Sequence, residues 1–290
     1  MNVMKRNYLT EITKKRITSR SLLFLLLMSL FLLSICITAS FAQTSMGVLK
    51  IPGKGLFTMP EDSLIIDELI MLDSSKIILS KSSRSFIKVR RMSVGQGCMI
   101  IGDGLHGIHG KNGSDAVHPM GLCKSGLAGE AGKPGPDGEQ GRDFILNVDQ
   151  LVVSASLSIS LIGGTGGDGG NGGKGSHGSK STIHCASNGG SGGNGGNGGN
   201  GGRGGALTLS VQSLASADLM AKINLNNRGG YRGLGGEAGT GGLRGTGSSE
   251  RNSKHGLNGK LGIDGKNGQE GKPLFYSIVN NPATGVISAQ

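Results

Sequence analysis

Gly189-Gly190-Ser191-Gly192-Gly193-Asn194-Gly195-Gly196-Asn197-Gly198-Gly199-Asn200-Gly201-Gly202-Arg203-Gly204 places a glycine at every third position for 16 residues. Four more runs share that period and length, at residues 126–141, 163–178, 230–245 and 256–271, and a shorter one covers 104–113. A left-handed polyproline-II helix has threefold symmetry, so every third residue returns to one face. The period therefore predicts slender rods with a bare glycine face, and 15 steps at about 3.1 Å make each long rod roughly 47 Å. Equal lengths predict rods lying side by side.

Of the 56 glycines, six precede residue 104 and one follows residue 271, leaving 49 inside residues 104–271. Ordering each costs about 1–2 kcal/mol of backbone entropy, and the segment has little apolar area to bury in return. Backbone hydrogen bonds between rods, each a net 0.5–1.5 kcal/mol or so, must then hold it together, unless it is disordered or wound into a trimer. The linkers favour an ordered single-chain bundle, because they alternate in kind. Residues 142–162 and 205–229 are long and strand-like, whereas 114–125, 179–188 and 246–255 are short and polar. Long linkers belong at one end of the rods and short ones at the other.

The strand-like linkers share a pattern, Leu146-x-Val148-x-x-Leu151 and Leu209-x-Val211-x-x-Leu214, with a looser copy from Phe86 onward. Upstream, Ser63-Leu64-Ile65-Ile66, Glu68-Leu69-Ile70-Met71-Leu72, Lys76-Ile77-Ile78-Leu79, Ser85-Phe86-Ile87-Lys88-Val89 and Cys98-Met99-Ile100-Ile101 are β-branched segments bounded by turn residues. The expected fold class is non-helical and β: short rungs of a β-solenoid ejecting three antiparallel hairpins of glycine rods, 104–141, 163–204 and 230–271, as six rods in two layers. The middle hairpin, nearly all Gly-Gly-X, is expected at the centre. The expected regions are a signal peptide over 1–42, a β-rich part over 43–103, the bundle over 104–271 with rungs at 142–162 and 205–229, and a C-terminal rung and tail over 272–290.

The signal-peptide reading rests on Lys14, Lys15, Arg16 and Arg20 ahead of an apolar stretch at 22–37 and on Ala39-Ser40-Phe41-Ala42. An uncleaved anchor is the alternative, although the apolar stretch is short for a span. Ile35 occupies the position where a lipoprotein box needs a small residue. Removing residues 1–42 takes six basic and one acidic residue from totals of 30 and 19, leaving 24 and 18, a net +6. That excess demands no nucleic-acid partner, and Arg203-Gly204-Gly205 and Arg228-Gly229-Gly230 read as solvated arginines at rod ends. The predicted location is secreted or cell-surface, with no membrane span after cleavage.

No catalytic constellation emerges. Gly102-Asp103-Gly104-Leu105-His106-Gly107 matches a dinucleotide fingerprint but is followed by more period-three glycine, not by a helix that could hold a pyrophosphate. Gly163-Gly164-Thr165-Gly166-Gly167-Asp168 begins like a calcium-binding nonapeptide, yet its apolar position is Gly170 and no second copy stacks beneath. Neither an enzyme nor a cofactor is predicted. The chemistry gathers in the short linkers, which hold Asp115, His118, Met120 and Lys124; Thr182, His184 and Ser187; and Glu250, Arg251, Lys254 and His255. A rigid scaffold that brings these loops to one tip would build a binding surface, whereas plain polar turns are the simpler reading. Cys123 and Cys185 fall in adjacent tip loops and, under oxidising conditions, are expected to pair, with Cys98 a buried free thiol. The competing reading joins both cysteines with His118, His184 or His255 at a metal.

The glycine runs resemble the polyglycine-II bundles of the snow flea antifreeze protein and of the tip adhesins on phage long tail fibres. The adhesin resemblance implies that the loops at 114–125, 179–188 and 246–255 choose a receptor. The antifreeze resemblance implies an ice-matching face of small side chains, which Asp168, Lys174, His177, Arg203, Arg244 and Lys266 do not make. Residues 126–141, with Lys133-Pro134-Gly135-Pro136-Asp137, also resemble collagen. Only Pro134 and Pro136 fall in the glycine runs, and the interruptions recur too often for a triple helix. A monomer is thus expected, a trimer under the collagen reading. The expected function is a non-enzymatic adhesion or recognition protein with a glycan or protein partner at its tip; a purely structural envelope component is the alternative.

Overall fold

The computed structural model describes residues 44–214, 220–248 and 252–277. The expected signal peptide over 1–42, the tip residues Glu250 and Arg251, and the tail beyond residue 277 lie outside them. Among the described residues the regular elements are eleven β-strands and one 3-10 turn (Met220–Lys222), with no α-helix.

The chain coils so that each turn contributes one strand to each of two parallel sheets. The larger sheet has the order β1 (Thr44–Ile51), β3 (Ser63–Met71), β5 (Arg84–Val94), β7 (Asp143–Val153), β9 (Leu207–Leu214), β11 (Pro273–Ser277). The smaller takes β10 (Ile223–Asn226), β8 (Leu157–Ser160), β6 (Cys98–Ile101), β4 (Lys76–Ile78) and β2 (Leu56–Thr58). Alternation explains the pairing: β3, β5 and β7 bury every second residue over most of their length. In-register stacking then makes columns of like residues, Leu64–Ile87–Leu146–Leu209 and Ile66–Val89–Val148–Val211 in one sheet and Ile77–Ile100–Ile159 in the other. These side chains are buried and fill the space between the sheets with an aliphatic core. Each contributes roughly 1.5–3 kcal/mol by burial.

Three of the connections are the glycine segments, numbered in chain order as run 1 (104–113), run 2 (126–141), run 3 (163–178), run 4 (189–204), run 5 (230–245) and run 6 (256–271). They continue the same stack. Gly102 and Gly104 of the chain leaving β6 donate to Ser160 and Ile162 leaving β8, and Gly107 and Gly110 of run 1 carry on to Thr165 and Asp168 of run 3. Run 3 donates in turn to run 5, as Gly166 to Tyr231 and Gly169 to Leu234. Runs 2, 4 and 6 repeat the pattern, Gly135 to Asn197 and Gly198 to Ile263. Within each of these two layers the runs are parallel.

Between the layers the bonds are antiparallel: Gly167 donates to Pro136 at 2.9 Å, Gly199 to Gly167 at 2.8 Å, Gly233 to Gly199 at 2.8 Å and Gly265 to Gly233 at 3.0 Å. These cross-bonds have a simple cause. Sheets separated by side chains pack about 10 Å apart, and when the inward residues change from Leu, Ile and Val to glycine the two layers close until backbone meets backbone. A Cβ on Gly166 would fall on the Gly199 carbonyl, and one on Gly195 on the Gly236 carbonyl. Runs 3 and 4 each bond to four neighbours, so the middle hairpin occupies the centre.

Three successive N–H groups of one run point three ways. In run 3, Thr165 donates to His106 Nδ1 of run 1, Gly166 to run 5 and Gly167 to run 2. Outward-facing side chains take the N–H that no run opposes: Asn112 and Asp115 accept from Asn171 and Lys174, and Asn194, Asn197 and Asn200 from Lys260, Ile263 and Lys266. Where the solenoidal strands give way to the runs, Arg142 is buried beside Glu139 and reaches the Ser80 and Gln140 carbonyls, while Arg203 pairs with Asp143 at 2.8 Å.

Candidate functional site

The three short linkers meet at the end of the runs away from the strands. Cys123 and Cys185 form a disulfide, with their Cα atoms 5.7 Å apart, and it joins the first linker to the second. Gly121 and Cys123 adopt positive φ (99° and 63°), a conformation that turns the first linker sharply into the bond. The Cys123 N–H donates to the Lys180 carbonyl, and the Lys124 carbonyl accepts from the Ser179 N–H and both Ser179 and Ser187 hydroxyls. The second linker meets the third through the Ser181 to Gly247 bridge and through Ser187, whose N–H donates to Ser253 Oγ at 2.9 Å.

The predicted site residues divide accordingly. Asp115, His118, Met120, Lys124, His184, Lys254 and His255 are exposed. Asp115 holds the Lys174 N–H, and His255 Nδ1 accepts from Arg244, so both also clamp neighbouring runs. Thr182 is half-buried against the disulfide, its hydroxyl 3.2 Å from Cys185 Sγ. Ser187 is 0% exposed and acts as an internal strut. Cys98 is a free thiol packed between sheets, 3.2 Å from the Leu72 carbonyl. The described residues contain no group of three His, Cys, Asp or Glu side chains arranged to hold a metal.

Sequence reasoning passed over Val117, Leu122 and Ile183. With Met120, which is 94% exposed, they put four large apolar side chains in solvent on the two disulfide-joined linkers. Lys124 and Lys180 stand exposed on the same two linkers, and Lys254 on the third. The signal was present, since bulky aliphatics in a segment with no core to enter must face outward.

One group in this part of the molecule has a displaced pKa. The Glu130 carboxyl is held below its ordinary value by hydrogen bonds from Ser114, whose N–H lies 3.3 Å from Oε2, and by the charges of Lys111 and Lys133.

No family model matches the chain, and no curated protein matches it. Among solved structures, a springtail antifreeze protein from Granisotoma rainieri, a bundle of nine polyproline type II helices, is 24% identical over 58% of this chain and 92% of its own, with a TM-score of 0.09. That similarity carries no argument, and it is the observed fold that corrects the resemblances drawn from the glycine runs. The regular architecture is two parallel β-sheets, which neither the antifreeze nor the adhesin likeness implied. Collagen is corrected on physical grounds as well, because successive runs are antiparallel and their glycine N–H groups are already engaged by neighbouring runs of the same chain.

Proposed function

We propose that this chain is a secreted or cell-surface, non-enzymatic adhesion or recognition protein. In this reading a short β-solenoid carries six polyproline-II-type rods, packed in two layers, and their tip presents loops to a surface glycan or protein. The rod geometry is supported by N–H groups that leave three successive residues in three directions, as a threefold helix requires. Secretion is supported by the Cys123–Cys185 disulfide, which persists in oxidising compartments, and by residues 1–42 read as a signal peptide. No helix among the described residues is long and apolar enough to cross a membrane.

One observation carries the recognition reading. The tip is braced by a disulfide and by hydrogen bonds, yet it leaves Val117, Met120, Leu122 and Ile183 largely in water. Exposed apolar side chains on a rigid mount are the usual form of a contact surface. The test substitutes only outward residues: Val117→Ser, Met120→Ser, His118→Ser and His184→Ser in one chain, assayed for binding to arrayed glycans and intact cells. Lost binding at unchanged melting temperature supports recognition. Unchanged binding, or wild-type protein that binds nothing, leaves the purely structural role.

A further inference from the structure

Run 6 carries a regular row of lysines. Lys254, Lys260, Lys266 and Lys272 recur every six residues, and all four are exposed. Leu257 and Ile263, 76% and 71% exposed, sit between them. The row faces outward on the layer of runs 2, 4 and 6: the Lys254, Leu257, Lys260, Ile263 and Lys266 carbonyls accept from glycines of run 4. The N–H groups of Lys254, Lys260 and Lys266 are each fixed at 2.8 Å by Asn188, Asn194 and Asn200. Backbone on both sides is therefore held, and only the side chains are left to act.

The four ammonium groups have no ion pair or hydrogen bond among the described residues. Asp137, the carboxylate in the same transverse row as Lys266, is separated from it by Asn200 and engages that residue's N–H.

We infer that this row, which begins at the tip with Lys254 and continues along run 6, is a second binding face for an extended anionic polysaccharide whose charges are spaced by neutral sugars. The spacing rests on the rod geometry proposed above: six residues at about 3.1 Å put consecutive lysines about 19 Å apart. A duplex nucleic acid carries a charge about every 1.7 Å of its axis, so such a comb would meet only a small fraction of its phosphates. The row also has no aromatic side chain on which a base could stack. A polymer with sparse acidic groups can instead meet each lysine in turn and lay its neutral stretches over Leu257 and Ile263.

Partially hydrolysed gellan, whose uronates are separated by neutral sugars, is the probe, measured against the secreted chain by biolayer interferometry at low salt. Lys260→Glu, Lys266→Glu and Lys272→Glu together should weaken binding by about tenfold or more at unchanged melting temperature. The same exchange at three exposed lysines of the sheets, Lys50, Lys76 and Lys88, should change it by less than about twofold. Protein with the four tip substitutions should bind gellan like wild type, and if it does not, the row is overturned while the tip reading stands. Wild-type protein that ignores gellan, a row variant that binds normally, equal losses in the two lysine triples, or tighter binding to duplex DNA than to gellan each overturn the inference.

Discussion

Replacing Gly196 by alanine tests the backbone contact between neighbouring runs of one layer directly. At a backbone conformation that alanine tolerates, the exchange stabilises a protein by about 0.4–1 kcal/mol through the unfolded chain. Gly196 is not at positive φ, so conformation raises no objection. Space does: a Cβ there falls on the Lys133 carbonyl, with the Pro134 nitrogen 3.0 Å away. Run 4 must then lift from run 2, and the bonds at stake are Gly132 to Asn194, Gly135 to Asn197 and Gly196 to Gly170, at 2.8, 2.9 and 2.8 Å. Losing two or three at roughly 0.5–1.5 kcal/mol each outweighs the entropic gain and leaves a net loss of about 1–3 kcal/mol. For a chain of this size that is a fall of about 2–12 °C in melting temperature.

The matched control is Gly47→Ala in β1, where an added Cβ meets nothing within 4 Å. That variant should melt at or slightly above wild type. Circular dichroism at wavelengths reporting the sheets and, separately, amide exchange of the run glycines would locate the damage in the runs. If Gly196→Ala proves as stable as Gly47→Ala, the runs are not in backbone contact and the packing described above is wrong.

Three other outcomes are expected. Cys123→Ser with Cys185→Ser removes a cross-link spanning 62 residues, which the chain-entropy relation values at about 4 kcal/mol; a melting temperature unmoved by the pair would contradict a bracing role. Phe144→Ala empties a fully buried position at the start of β7 and should cost about 3–5 kcal/mol in denaturant unfolding, against less than about 0.5 kcal/mol for the exposed Lys76→Ala. The Glu130 carboxyl has its pKa lowered in the folded chain, so its stabilising contribution is present above the unfolded pKa and disappears as pH falls through the lowered folded value. Glu130→Gln should therefore flatten the acid limb of a melting-temperature profile, and a profile identical to wild type would exclude the Ser114 contact.

Much of this architecture is legible in the residues. Short apolar, β-branched runs bounded by turn residues, as in Ser63-Leu64-Ile65-Ile66 and Phe144-Ile145-Leu146-Asn147-Val148, mark strands, and both lie in parallel sheets. The pairing of Cys123 with Cys185 follows from linkers that alternate in length. The first turn, β1 and β2, is not legible, since Gly47, Pro52, Gly53 and Gly55 interrupt its apolar residues and only pairing to β3 and β4 makes strands of them. Ser187 also looks like an ordinary polar loop residue. Its burial depends on a carbonyl, that of Lys124, delivered by a segment 63 residues earlier.

The uniformity that makes the runs easy to recognise raises a difficulty about their alignment. In run 4 a slip of three residues exchanges Asn194 for Asn197 or Asn197 for Asn200 and presents the same glycine faces to all four neighbours, so local hydrogen bonding barely distinguishes one register from the next. Side-chain packing cannot decide it where there are no side chains. The ends must decide, and they are unlike the middle. At one end Leu161 and Leu207 enter the aliphatic core between the sheets, with Arg142 and Arg203 fixing the exits by their carboxylates and carbonyls. At the other end the disulfide and the Ser187–Ser253 contact tie the linkers. A slipped run would have to pull an apolar residue from the core or tear a braced linker, costing several kcal/mol where a slip in the middle costs almost nothing. Equal length in the five long runs is the consequence: with both ends pinned, a run one triplet longer than its neighbours has nowhere to put the excess.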